Sequence, residues 1–474
     1  RSSNVFLTGE SNPITPTFEK NFFFNRQYGV TYNPTRSIQL NYTSTANALI
    51  DELSDTVRSD ARKRDFQKES LLRGGRVKTF NQQVRGNYKL PFDKFPLTNF
   101  ISADVTYAGT FNWQANQLAI ADSLGNIVQN NREQSFNGRI DLLKLYNKIK
   151  LLNKINNPPT APAPVTKQID PKTGKEVKDT TKKKPEYKAF KAMLRVLMAV
   201  RNFNVTLQRT ENTNLPGFLP TVDLLGYNFS KNSSDWWGFV LGSQDPDVRL
   251  RLAEGGLMAR SPSLTQPFTQ TRQDNFRVQS NIEPFRDFNV QVEARMQVTN
   301  NYSEIFRSVN PLTDVPDFQS QSAARTGNYS VSFIAIRTAF DKDDAEIRTP
   351  AFRNFESNRN LVRNRLDAES GRTTSRFDTN AQDAIIPAFT SAYRGVNAAT
   401  SNLSPFPALP MPNWRVTYSG LNRIPYLQRK LQSISLSHAY NGTYTIANYT
   451  ANTNYDPTFF QLSKSLNDYN NLRP

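Results

Sequence analysis

The chain of 474 residues has no cysteine, one histidine and five methionines. Without cysteine it can carry no disulfide framework, no thiolate-bound zinc and no cysteine nucleophile. One histidine cannot build a His-rich metal site, although it can serve as a single general base. No stretch approaches the ~18 consecutive apolar residues of a membrane-spanning helix. The nearest, Met193 to Val200, is short and contains Arg195. There is no signal peptide and no initiating Met, so Arg1 reads as the start of a processed chain or of a fragment. Nucleophile-elbow, P-loop and dinucleotide-fingerprint patterns are missing too.

What is present is basic charge. Lys and Arg number 59 against 41 Asp and Glu, a net +18. Such a balance suggests nucleic acid or an anionic surface. The excess is local, however: 147–199 holds 13 basic and 4 acidic residues, half of the total. Within it, 156–184 is rich in Pro, Lys and Thr and reads as a solvated loop. No basic groove interleaved with aromatics accompanies it, so nucleic acid is not an expected partner.

The dominant pattern is period-two alternation. From Ile101 the odd positions run Ile101, Ala103, Val105, Tyr107, Gly109, Phe111, Trp113, while Ser102, Asp104, Thr106, Thr110 and Asn112 lie between them. Successive side chains of a strand point to opposite faces, so the segment has one apolar and one wet face. Phe288 to Val298 repeats the pattern. Ten such segments fall near 21–32, 38–50, 78–90, 100–116, 132–145, 199–211, 274–283, 287–305, 412–421 and 431–451. Several exceed the ~5–6 residues usual for soluble strands and suit the ~9–11 of a tilted membrane strand.

Connections alternate between short (33–37, 91–99, 283–287, 422–430) and long (51–77, 117–131, 212–273, 306–411). Short turns on one side and long loops on the other are the signature of an outer-membrane β-barrel. The expected fold is therefore all-β and transmembrane: an antiparallel barrel wall of about ten strands with long structured extracellular loops. The basic connection 147–199 would be periplasmic by parity, although it is long. Loops 212–273 and 306–411 would build an extracellular cap, with Trp236 and Trp237 buried in it. Helices are expected at 51–72, after Asp245-Pro246 and after Thr349-Pro350. The segment 329–336 reads equally as a loop strand or as an eleventh wall strand. A soluble β-sandwich also alternates and stays open as a reading.

Candidate chemistry is sparse. His438 lies on the apolar parity with no nominated nucleophile or orienting group. Asp343-Asp344 and Asp245/Asp247 suggest at most weak cation binding or helix capping. No catalytic, cofactor or metal residues are assigned. The wet parity carries Arg85, Lys89, Asp104, Arg139, Asp141, Arg277, Glu293, Arg295 and Arg415. Facing lipid, a basic residue at mid-depth would cost about 2–4 kcal/mol, so these nine are expected to face a polar lumen. Tyr107, Phe111, Trp113, Trp414, Tyr418, Tyr440 and Tyr444 are expected to face lipid or the interface belt.

Several runs exceed generic barrel patterning. They include "NFFFNRQYGVTYNPTRSIQLNYTSTANALIDE" (21–52), "YKLPFDKFPLTNFISADVTYAGTFNWQA" (88–115), "FVLGSQDPDVRLRLAEGGLM" (239–258), "IEPFRDFNVQVEAR" (282–295), "PFPALPMPNWRVTYSGL" (405–421) and "LSHAYNGTYTIANY" (436–449). Together they resemble the C-terminal part of the SprA/Sov family of giant outer-membrane proteins of Bacteroidota. The resemblance implies the protein-conducting translocon of the type IX secretion system, which also supports gliding motility. It implies that these strands form part of a much larger barrel completed by other segments of the same chain. Implied partners are a smaller PorV-type barrel protein at a lateral opening, a periplasmic plug protein, folded cargo and outer-membrane lipid. The Lys-rich stretch 167–191 matches no motif of the family. A self-contained porin, a soluble surface adhesin and a hydrolase using His438 are the rival readings.

Overall fold

Period-two patterning becomes one open antiparallel sheet. The computed structural model describes residues 2–3, 18–19, 22–51, 53, 60–156, 188–222, 224–226, 236–310, 317–369, 378–407 and 409–451. Most of the Lys-rich stretch 167–191 lies outside them. Two residue pairs, β1 (Ser2–Ser3) and β2 (Phe18–Glu19), pair only with each other. The sheet proper starts with β3 (Phe23–Thr35), β4 (Ile38–Leu49), β5 (Arg76–Leu90), β6 (Ile101–Gln114) and β7 (Asn126–Asp141). It continues through β8 (Val200–Phe218), β9 (Phe268–Ile282), β10 (Phe288–Ser308) and β11 (Phe318–Ser332). It ends with β12 (Asn413–Tyr418), β13 (Leu436–Tyr440) and β14 (Thr443–Ala451).

From β3 to β10 each strand pairs with the next in sequence. The sheet has 12 strands where alternation suggested about ten. One addition is β11, the ambiguous segment, which starts at Phe318. The other comes from 431–451, which divides into β13 and β14 around Asn441 and Gly442. Consequently 306–411 is not one cap loop: 306–308 and 318–332 belong to strands of the sheet. The sheet does not close, and β3 at one edge pairs with neither β13 nor β14 at the other.

Connections sort onto two ends. Among the described residues, 36–37, 91–100, 142–156, 188–199, 283–287 and 419–435 belong to connections at one end, and 50–51, 60–75, 115–125, 219–222, 236–267, 309–310 and 317 to connections at the other. Expected helices appear: Asp60–Leu72 lies within 51–72, Val248–Glu254 starts two residues after Pro246, and Pro350–Glu369 starts at Pro350 as expected. The Thr349 hydroxyl accepts from the Phe352 N–H at 3.1 Å and so caps the last of these. Arg76 donates twice to the Asp51 carboxylate at 2.7 Å, tying 50–75 back to the wall. Those hydrogen bonds hold the Asp51 carboxyl below its ordinary range.

Register assigns every strand residue to a face. Thr110, Asn131, Asn212, Thr271, Asn301 and Thr326 are consecutive cross-strand partners, as are Thr106, Ser135, Gln208, Asn275, Gln297 and Ser330. This face is polar along its length. Opposite it, Val105, Phe136, Leu207, Phe276, Met296 and Val331 form one apolar row. The next row towards the 219–267 end reads Tyr107, Gln134, Arg209, Asp274, Val298 and Tyr329, and is already mixed. The second face is therefore an apolar band at one end and an ionic, covered surface at the other.

Two segments cover that upper part. Residues 219–267 bring Val222, Trp236, Phe239, Val240 and Leu252 onto Phe80, Phe111, Trp113, Val128 and Leu215. The Trp236 ring stacks on Phe218 at 4.3 Å and meets Phe111 edge-on at 5.6 Å. The Trp113 indole N–H donates to the Pro220 carbonyl at 3.1 Å, so its polar atom is satisfied under the cover. Of the two tryptophans expected to lie buried here, Trp236 is buried and Trp237 is only partly so, packed against the same cluster. Residues 333–412 cover Met296, Val298, Tyr329, Val331, Tyr444 and Tyr449 through Phe333 and Phe406. Their two helices, Pro350–Glu369 and Gln382–Arg394, pack through Val362, Leu366, Ala384 and Ala388.

Backbone approach fixes the first cover. The Leu241–Gly242 peptide rests on Gly109, where an added Cβ would collide with the Leu241 carbonyl oxygen. Tyr107 donates its hydroxyl proton to the same carbonyl at 2.6 Å. Gly109→Ala is expected to loosen this cover at a cost of about 1–3 kcal/mol, the range for overpacking. Faster protease cleavage within 219–267 reports it. Gly29→Ala, with open space around its Cβ, should leave cleavage unchanged.

Candidate functional site

All nine charged residues of the wet parity share the polar face. Arg277 and Glu293 form an ion pair at 3.1 Å, and Gln279 donates to the same carboxylate at 3.3 Å. Asp104 stands opposite Lys89 and accepts from Asn137 at 3.1 Å. Arg295 reaches the Thr443 hydroxyl at 3.2 Å, and Arg85 reaches Asn87 at 3.3 Å. Arg85, Arg139 and Arg415 are exposed among amides and hydroxyls. Asp141 differs in role: at the end of β7 its carboxylate accepts from the Lys144 N–H at 3.1 Å and caps the following helix. A face of neutral hydrogen-bonding groups with scattered charges of both signs is wettable and carries no single strong field.

The seven aromatics share the opposite face, yet their surroundings divide them. Trp414 stacks on Tyr440 at 4.7 Å, and Tyr418 groups with Phe285 and Phe288 at the 283–287 end. These three are only partly covered. Phe111 and Trp113 are buried beneath 219–267, Tyr444 is buried beneath 333–412, and Tyr107 is bonded to Leu241. Lipid contact is thus corrected for Phe111, Trp113 and Tyr444, because long-range segments occupy the space alternation had left open.

The sheet is discontinuous at one place. Along one edge of β10, Phe288 to Glu293 pair with β12, while Met296 to Ser308 pair with β11. Strands β11 and β12 therefore share one strand position end to end, and β13 and β14 share the next. Segment 333–412 leaves and returns at this junction, beside Ala294 and Arg295 in the first half of β10. Side chains repair the broken ladder there. Ser332 and Met411 bond reciprocally, with Met411 N–H to Ser332 O at 2.9 Å and the Ser332 hydroxyl to Met411 O at 2.5 Å. Asn413 donates to Asn441 at 2.9 Å and accepts from the Gly442 N–H at 3.0 Å. The Phe333 N–H donates to the Gly442 carbonyl at 3.0 Å. These bonds replace ladder bonds that the break removes, so the discontinuity is a specified feature.

Alternation alone did not single out the ionic network on the covered face. Arg132 pairs with Glu211 at 2.6 Å, Arg209 with Asp274 at 2.6 Å, and Arg272 with the same Asp274 at 2.8 Å. Arg249 pairs with the fully buried Glu304. A signal was available: Arg209 and Glu211 follow Phe203, Val205 and Leu207 on the same parity, so that face turns from apolar to ionic within one strand. His438 is exposed opposite Val416 on the banded face. Asp344 accepts backbone N–H groups from Glu346 and Arg348, Asp245 pairs with Arg251, and Asp247 precedes its helix. Among the described residues no three His, Asp or Glu gather as a metal site. No family model matches the chain, and no curated protein matches it.

Proposed function

We propose that the chain is a wall segment of an outer-membrane β-barrel, and, on its resemblance to the SprA/Sov family, part of the protein-conducting channel of the type IX secretion system. One observation carries the membrane reading: a predominantly polar face backed by an apolar band in the same strands. Val30, Tyr32, Leu40, Val105 and Leu207 in that band are all exposed. A water-soluble sheet would leave a contiguous apolar surface of this kind only for a partner. Strands of 12 to 21 residues from β3 to β11 exceed the ~9–11 needed to cross. The bilayer then lies below the Arg209–Asp274 row, since unshielded charge in lipid is costly.

On this reading the polar face lines a wet conduit for folded cargo, and Arg85, Lys89, Asp104, Arg139, Arg277, Glu293, Arg295 and Arg415 keep it hydrated. The wall works by passage, without catalysis. Both sheet edges are unpaired among the described residues, which favours a larger barrel completed by further strands over a porin closed by these alone. A PorV-type barrel protein and a periplasmic plug are the proposed partners.

The absence of cysteine gives a direct test. Single Gln208→Cys and Leu207→Cys variants in intact membranes should separate: a membrane-impermeant maleimide labels the first, and only a lipid-partitioning maleimide labels the second. Equal labelling by the impermeant reagent would refute the membrane reading. For the secretion role, depletion of the protein should leave cargo inside the cell, and undiminished export would remove it.

A further inference from the structure

On the banded face, between residues 244–249 of the first cover and strands β8 to β11, lies a cleft of about 480 Å³. Its lining includes Arg249, Arg272, Arg325, Asn300, Tyr302 and Gln270. It sits over the row of Arg132, Glu211, Arg272 and Asn300 and the row of Thr213, Gln270, Tyr302 and Arg325, just beyond the apolar band. Charge here is unbalanced. Arg132, Arg209, Arg249 and Arg272 share three carboxylates, Glu211, Asp274 and Glu304, and Asp247 stands at the rim. Arg325 is the fifth guanidinium, one more than the carboxylates present, and it has no carboxylate partner among the described residues. It lies over the Tyr302 ring at 5.3 Å. The Arg325 Nε and the Asn300 Nδ2 are both enclosed without a hydrogen-bond acceptor. The cleft therefore holds surplus positive charge and surplus donors, which an enclosed site satisfies by taking an anion with several acceptor oxygens.

We infer that this cleft binds a phosphate group, and, resting on the membrane reading above, that the phosphate belongs to an outer-leaflet glycolipid. The apolar band directly below would hold that lipid's acyl chains while Arg325, Arg272 and Asn300 take the headgroup. A planar guanidinium matches phosphate oxygens with paired donors, so Lys at 325 replaces it only in part.

Purified full-length chain in detergent is titrated with lipid A, with dephosphorylated lipid A and with inorganic phosphate, and Arg325→Gln and Arg325→Lys variants of unchanged circular dichroism are compared. The expected result is lipid A binding that weakens about tenfold or more in Arg325→Gln, is partly retained in Arg325→Lys and is lost without the phosphate. Inorganic phosphate binding as tightly as lipid A, with the same dependence on Arg325, would support the anion site and assign it to free phosphate. Lipid A binding that ignores Arg325 or the phosphate would overturn the inference, as would no binding of either. The phosphate titration does not depend on membrane insertion, so failure in the maleimide experiment and failure here are distinguishable.

Discussion

Trp113→Ala is expected to destabilise the protein by about 3–5 kcal/mol, the range for truncating a fully enclosed aromatic. The indole is buried, flanked across the strands by Phe80 and Val128, in one cluster with Leu215 of the sheet and Val222 and Trp236 of the covering segment. Its removal leaves a cavity at the joint between the two, and it strips the Pro220 carbonyl of its donor. The cover is held by few backbone bonds to the wall, mainly Leu219 to Leu257 and Ala259 to Gly217 within its own base. The loss should appear first as release of 219–267, read by limited proteolysis, and then as a lower unfolding midpoint. Unchanged cleavage would mean that 219–267 is anchored elsewhere.

Val205→Arg has a comparable expected effect for a different reason. Val205 lies in the apolar band between Phe203 and Leu207, opposite Gly138 and Val278. In a bilayer an Arg at mid-depth on the lipid side costs about 2–4 kcal/mol. Gln208→Arg, three residues on and facing the polar side beside Glu133, should stay within about 0.5 kcal/mol. Urea-dependent folding into phospholipid vesicles measures both. If the two substitutions cost the same small amount, the banded face meets water and the wall reading fails.

Much of the wall was legible because period-two patterning is a local signal. Strands β3 to β10 fall where alternation put them, and the nine charged residues occupy one face since parity and register obey the same geometry. Strand ends were less legible. β8 was expected to stop near 211 but runs to Phe218, as Leu215 and Phe218 find an apolar cover in the segment that follows, through Val222, Trp236 and Met258, which strand alternation does not register. Phe111 and Trp113 were assigned to lipid by the same logic that correctly placed their face. A buried aromatic under a protein cover and one against acyl chains carry the same sequence pattern.

The amino-acid sequence by itself determined which residues pair into strands, which face each side chain takes, and that no thiol or histidine cluster is available for chemistry. Only the tertiary structure decided what each face meets. It split one strand position between β11 and β12, sent 333–412 out from within the sheet, and brought five guanidiniums to four carboxylates above the band. Those outcomes depend on contacts between distant segments, and local alternation holds no information about which distant segment will cover an apolar face.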